Sequence, residues 1–136
     1  MGLKLQGEVL LPGTAHGPAL RLSAPISFWG GIDPASAKIV QAKHPDRGAV
    51  IAGTVLAIER TIGSSSSSAV LLELLYREIA PAALILARPD AILSLGVIVA
   101  AEMGYPTIPV IRSPMDGIET GMRLSIDSRG LIESED

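Results

Sequence analysis

The sequence predicts one α/β domain with a mixed sheet and flanking helices, and three observations carry that reading. The first half is strand-rich and broken by Pro/Gly turns, while the second half alternates strand with helix. Residues 83–87 and 108–111 are apolar at every position, as strands covered on both faces are in parallel βαβ units. The chain is 48% hydrophobic and 18% charged over 136 residues, so apolar material for a core is ample and disorder is excluded. No repeat or linker divides residues 1–136. They read as one domain, with an acidic tail at about 131–136 expected to fray.

Each element has its own signal. Leu3 and Leu5 alternate with Lys4 and Gln6, and Val9-Leu10-Leu11 follows, giving a first strand stopped by Pro12-Gly13. Residues 19–22 make a second, short strand. Pro25-Ile26-Ser27-Phe28-Trp29-Gly30-Gly31-Ile32-Asp33-Pro34 is a punctuated loop holding half of the aromatics. Residues 38–40 make a short strand and His44-Pro45-Asp46-Arg47-Gly48 a turn. Residues 49–58 form a strong strand, in which Gly53 points to a bulge or a close backbone approach. Gly63 and five serines, Ser64 to Ser68, lead into a helix at 69–77, with Glu73 and Arg77 paired at i,i+4 and Pro81 as its stop. A buried strand at 83–87 precedes a second helix at 91–103, closed by Gly104 with Pro106 beyond. Residues 108–111 form another buried strand. Residues 121–127 form a last alternating strand, turned by Ser128-Arg129-Gly130.

Composition excludes several function classes. A net charge of −3 without a basic stripe argues against nucleic acid as a partner. With no cysteine, neither a disulfide nor a thiolate-ligated zinc or iron–sulfur site can form within this chain, and two histidines are too few for a metal site. The longest apolar runs, 79–87 and 91–101, are about half of the ~20 residues that a membrane span needs, so no membrane is expected as a partner. Met1-Gly2-Leu3-Lys4 does not open a signal peptide, and the expected location is cytoplasmic. The mean hydropathy of +0.42 must then reflect core, or a surface that a partner covers.

The serine run is the strongest candidate site. A helix N-terminus leaves N–H groups unpaired and carries partial positive charge, so serines there can form a receptor for carboxylate or phosphate. Gly63 would let the backbone turn tightly against a ligand. The run also reads as an N-cap with filler, and both readings stay open on physical grounds alone. It is neither a P-loop nor a nucleophile elbow, since Gly-Lys-Ser/Thr and Gly-x-Ser-x-Gly are absent. Ser27, Phe28, Trp29, Gly30 and Gly31 form a second candidate, either a ligand wall or docking patch, or a loop that plugs the core. Plugging suits Phe28. Trp29 is more open, because burial would require a partner for its N–H. His16 and His44 read as solvated. Glu102 reads as a last-turn carboxylate, and nothing pairs Asp116 or Glu119 with a base.

Several strings together carry a resemblance: the 25–34 loop, His44-Pro45, Gly53-Thr54-Val55-Leu56, Gly63 to Ser68 with Val70-Leu71-Leu72-Glu73, and Ala80-Pro81-Ala82-Ala83. They resemble the small subunit, or swivelling domain, of the aconitase X family. The resemblance implies a swivelling β/β/α fold like domain 4 of aconitases. It implies a heterodimer with a cysteine-bearing large subunit that carries an iron–sulfur or iron centre, with no cofactor bound by this chain. It also implies a dehydration of a small anionic substrate, in which the metal polarises the leaving hydroxyl and a serine alkoxide removes a proton beside the carboxylate. The base position matches Ser64, with Ser65 as the alternative register. Gly63, Ser65 and Ser66 match positions that hold substrate oxygens.

Family members dehydrate cis-3-hydroxy-L-proline or mevalonate 5-phosphate, and the Arg-rich, charge-poor composition here favours the former. The family pattern has an arginine before the glycine where this chain has Ile62, so Arg60 or the large subunit must replace it. Residues 95–106 also resemble the swivelling phosphohistidine domain of phosphoenolpyruvate-using enzymes. Leu95 stands where that family has its histidine, which excludes the phosphocarrier chemistry. A non-catalytic binding or assembly module of the same fold is the reading from another class.

Overall fold

The computed structural model describes residues 2–63 and 65–135. In chain order its elements are β1 (Lys4–Gln6), β2 (Glu8–Leu11), β3 (Ala15–Arg21), α1 (Phe28–Gly31), β4 (Ile32–Asp33), β5 (Lys38–Ile39), β6 (Val55–Ile58), α2 (Ser67–Tyr76), β7 (Ala83–Leu86), α3 (Ala91–Glu102), β8 (Val110–Arg112), β9 (Arg123–Ile126) and β10 (Leu131–Ser134). Eight strands form one mixed sheet in the order β1-β10-β9-β3-β6-β7-β8-β2, and β4 with β5 makes a separate two-stranded ladder. The α/β class with a mixed sheet and flanking helices is therefore the observed one.

The two sheet edges, β1 and β2, are separated in the chain by Gly7 alone. A sheet whose edges are joined by one residue has to curl until they meet, so this one closes on itself like a small barrel. The Gly7 N–H donates to the Gly130 carbonyl at 2.9 Å, one step beyond the β1–β10 ladder. A Cβ on Gly7 would lie 2.2 Å from Ile111 Cγ2. The single first strand expected at the N-terminus is thus two strands, split where only glycine fits.

Strands β3, β6, β7 and β8 run parallel at the centre. Side chains alternate across a strand. Val55, Ala57, Ala83, Ile85 and Ile111 fill the core inside the curl, while Leu56, Ile58, Leu84, Leu86 and Val110 meet the helices. Two cores on opposite faces explain why these strands show no polar alternation. Helices α2 and α3 pack closely on the outer face. A Cβ on Gly96 of α3 would lie 2.6 Å from the Ser68 carbonyl oxygen.

Other expectations need correction. The acidic tail does not fray at 131–134: β10 pairs with both β1 and β9, and Ile132 is fully buried in the inner core. The strand expected over 49–58 is ordered as a strand only at Val55–Ile58. Gly53 marks a turn rather than a bulge, with φ +71° and its N–H on the Ala80 carbonyl. β3 begins at Ala15, through Gly17 and Pro18, because β9 pairs with Ala15–Pro18 before β6 takes up Ala19–Arg21. α2 begins at Ser67, so two serines of the run are helical. β8 starts two residues later than the strand expected at 108–111.

Candidate functional site

Parallel strands deliver their loops to one edge, and ligands in α/β sheets bind beyond the carboxyl ends of such strands. Here β6 ends at Ile58 and runs through the serine loop into α2, while β7 ends at Leu86 and runs through Arg88-Pro89-Asp90 into α3. The ladder persists past the strands: Ala87 N–H donates to the Ile58 carbonyl at 3.0 Å and Arg88 N–H to the Glu59 carbonyl at 3.2 Å. Asp90 caps α3, its Oδ1 accepting from Leu93 N–H at 3.0 Å. Its Oδ2 accepts a hydrogen bond from the Thr61 hydroxyl, which ties the two loops together. Between them lies a cavity of about 450 Å³ lined by Arg60, Thr61, Gly63, Arg88, Asp90 and Ile92.

The serine residues take up different surroundings. Ser64 lies outside the described residues. Ser65 is exposed, and its carbonyl accepts from the Ser68 hydroxyl at 3.1 Å. The Ser66 carbonyl accepts from Ala69 N–H at 3.1 Å and Val70 N–H at 3.3 Å, the first bonds of α2. The Ser67 side chain is buried and, among the described residues, its hydroxyl meets no hydrogen-bond partner. Gly63 departs from expectation. It lies outside the left-handed region, and a Cβ there would meet nothing within 4 Å, so no tight turn demands glycine at this position. Open space surrounds it instead.

The aromatic loop lies alongside. Ile26 bridges Thr61 in parallel fashion, and Ile62 N–H donates to the Ile26 carbonyl at 2.8 Å, which places Ser27 next to the serine loop. The two segments singled out from sequence are therefore neighbours. Ser27 N–H donates to Gln41 Oε1 at 3.0 Å, and its hydroxyl donates to the Trp29 carbonyl at 2.9 Å. Phe28 is buried and plugs the core. Trp29 is 60% exposed. Gly30, at φ +77°, and the buried Gly31 carry the chain around this corner. A cavity of about 480 Å³ is bounded by Trp29, Gly30, Asp33, Val40 and Val70, the last on the first turns of α2. On its rim, Asp33 accepts hydrogen bonds from Ala35 N–H at 3.0 Å and the Ser36 hydroxyl at 2.7 Å. The Ala35 amide first, then that hydroxyl, holds its carboxyl below the ordinary value.

His44 is buried rather than solvated. Its Nδ1 accepts from Asp46 N–H at 3.0 Å and its Nε2 donates to the Ala24 carbonyl at 3.1 Å, so its role is to pin a turn. His16, Glu102, Asp116 and Glu119 are exposed and stand apart from the cavity beside the serine loop. Among the described residues, no three of His, Asp and Glu lie together as a metal site, and no helix is long and apolar enough to cross a membrane. Thr61, Arg88 and Asp90 are site residues that the sequence reading missed. Asp90 had a signal, a capping residue just before an apolar run. Arg88 had none, because its position depends on the register of β7 against β6.

The family model of the aconitase X swivel domain matches residues 4–134. A cis-3-hydroxy-L-proline dehydratase of Pseudomonas aeruginosa is 45% identical over 103 residues, 76% of this chain and 18% of that protein. The chain thus spans less than a fifth of the length of that relative. A phosphomevalonate dehydratase small subunit of Methanothermobacter thermautotrophicus is 32% identical over 93% of this chain and 95% of its own length. The crystal structure of Thermococcus kodakaraensis aconitase X in its holo-form superimposes with a TM-score of 0.89 at 30% identity, covering 98% of this chain and 99% of that one.

Proposed function

The chain belongs to the aconitase X swivel-domain family, and from that premise we propose that it is the small subunit of a hydro-lyase that supplies a serine base and needs a large subunit to act. The observation that carries this reading is the placement of the serine run. It leads into α2 beyond the carboxyl end of a parallel strand, and Gly63, just before it, lines a cavity shared by Arg60 and Arg88. Ser64, between Gly63 and Ser65, is the base in this reading, and Ser65 is the alternative. Gly63, Ser65 and Ser66 offer donors to substrate oxygens. Ser27, Trp29 and Gly30 form the adjoining surface for the large subunit or the substrate, while Phe28 and Gly31 hold that corner from within.

The chemistry is an elimination. The Ser64 alkoxide takes the proton from the carbon next to the carboxylate. The C–H electron pair becomes the new double bond, the bond to the neighbouring hydroxyl breaks, and the leaving oxygen departs as water once protonated. A serine is a poor base in water. The N–H groups that open a helix lack partners within it, and in this reading those of Ser67 and Ser68, with the positive end of the α2 dipole, favour the alkoxide. This chain's own residues do not suit an iron–sulfur or iron centre. It has no cysteine, and no acidic or histidine cluster forms among the described residues. Such a centre would belong to the large subunit.

The higher identity to a cis-3-hydroxy-L-proline dehydratase supports that substrate. The match in extent to a phosphomevalonate dehydratase small subunit supports mevalonate 5-phosphate as the second reading. Co-expression with a cysteine-bearing large subunit and anaerobic assay on both compounds tests the proposal. Ser64→Ala is expected to lower turnover by about 10²–10⁴-fold, the span of a lost general base, with assembly intact. Loss in Ser65→Ala with Ser64→Ala near normal moves the base by one residue. Normal turnover in both variants removes the serine mechanism, and an inactive wild-type assembly leaves the assembly-module reading.

A further inference from the structure

The cavity beside the serine loop has an uneven charge. Ile58 pairs with Leu86 at the end of the β6–β7 ladder. Beyond it the chains stay side by side, with the Ala87 amide on the Ile58 carbonyl and the Arg88 amide on the Glu59 carbonyl, so Arg88 leaves β7 next to the segment that carries Arg60. Both arginines are exposed and both line the cavity. Among the described residues, neither guanidinium takes part in an ion pair, although Arg77 and Arg112 both do. Two like charges on one cavity wall repel.

Asp90 shares the wall but does not answer them. Its Oδ1 is held by Leu93 N–H and its Oδ2 by the Thr61 hydroxyl. Those bonds tie together the two loops that carry the arginines. Two guanidinium groups lining one cavity, neither in an ion pair among the described residues, offer planar forks that suit the two oxygens of a carboxylate. Ile62, between Arg60 and the serine run, is 44% exposed and adds no charge.

We infer that Arg60 and Arg88 form a clamp for the carboxylate of the substrate and select a small hydroxy acid over an uncharged alcohol. The inference rests on the dehydratase reading and names which residues hold the acid while the serine run acts on the adjacent carbon. Thr61 and Asp90 are positioning residues for it.

The test uses the assembly with the large subunit and cis-3-hydroxy-L-proline. Arg60→Ala and Arg88→Ala should each raise KM by about 10–100-fold while kcat changes less, the signature of lost binding. Arg88→Lys should recover part of the loss, because lysine keeps the charge without the fork. Ile62→Arg placed on Arg88→Ala should recover part as well, an outcome that a purely structural role for Arg88 would not give. An active wild type with unchanged KM in both alanine variants overturns the clamp and leaves the dehydratase reading standing. If the wild type is inactive on both hydroxy acids, that reading falls, and the clamp is read separately. In that case the arginine side-chain N–H resonances of the chain are followed by NMR during titration with sodium acetate, against equal sodium chloride. Joint, saturating shifts at Arg60 and Arg88 support the clamp. Absence of joint shifts overturns it, and a response to inorganic phosphate without one to acetate overturns the carboxylate assignment.

Discussion

Glycines sit at the barrel seam, at the helix–helix contact and in the serine loop, and they serve opposite purposes. At the seam, a Cβ on Gly7 would lie 2.2 Å from Ile111 Cγ2, and on α3 a Cβ on Gly96 would lie 2.6 Å from a carbonyl oxygen of α2. At Gly63 and Gly30 a Cβ would meet nothing within 4 Å. The first region is saturated, with its side chains packed and its seam amide bonded to Gly130. The second keeps polar and apolar groups unspent, namely the Arg60 and Arg88 guanidinium groups and the exposed Trp29 and Ile62. A fold that fills its interior this completely does not leave such a rim open by default. In the proposed function, the space around Gly63 is where the substrate or the large subunit fits.

Two substitutions can break that contrast. The larger effect is expected from Gly96→Ala. The new methyl meets backbone rather than a flexible side chain, so α2 and α3 must separate. The strain should outweigh the ~1 kcal/mol that alanine gains in helix propensity. A net loss of about 1–3 kcal/mol in urea unfolding is expected, the range for an overfilled contact. Stability equal to the wild type would mean that the helix contact is not closed. Gly63→Ala should do the reverse. Its backbone is outside the left-handed region and its surroundings are empty, so unfolding should change by less than about 0.5 kcal/mol. Turnover of the assembled enzyme should nevertheless fall at least about tenfold, because the methyl enters space that the substrate or the large subunit uses. A stability loss like that of Gly96→Ala would show that the open rim is packed after all.

The same contrast explains what could be read from the sequence. The saturated parts announce themselves through pattern. Residues 83–87 and 108–111, apolar throughout, locate the central parallel strands because both of their faces are buried. Pairing partners do not announce themselves. Nothing local says that Leu131–Ser134 lies between β1 and β9, and its acidic neighbours disguise Ile132, which is fully buried. Nothing local places Lys4–Gln6 and Glu8–Leu11 at opposite edges of one sheet, because closure is a property of the whole ladder. The serine loop was legible through its unusual composition, and Trp29 through the cost of burying its N–H. Arg88 was not. An arginine in a loop looks like any solvated charge until β6 and β7, paired in parallel, bring the loops that carry Arg60 and Arg88 to one cavity.

The smallest expected effect separates the two regions within a single turn of helix. Ser67 is the first residue of α2, yet its side chain is buried and its hydroxyl meets no partner among the described residues. A buried hydroxyl without a partner costs about 1–3 kcal/mol, and alanine is also the better helix former. Ser67→Ala should therefore stabilise the chain, by about 1 kcal/mol once relaxation of the site is allowed for, and should leave turnover unchanged. Thermal or urea unfolding reads the first expectation and the assay of the assembly the second. Destabilisation instead would mean that this hydroxyl bonds within the serine run, and the saturated region would then extend one residue closer to the base.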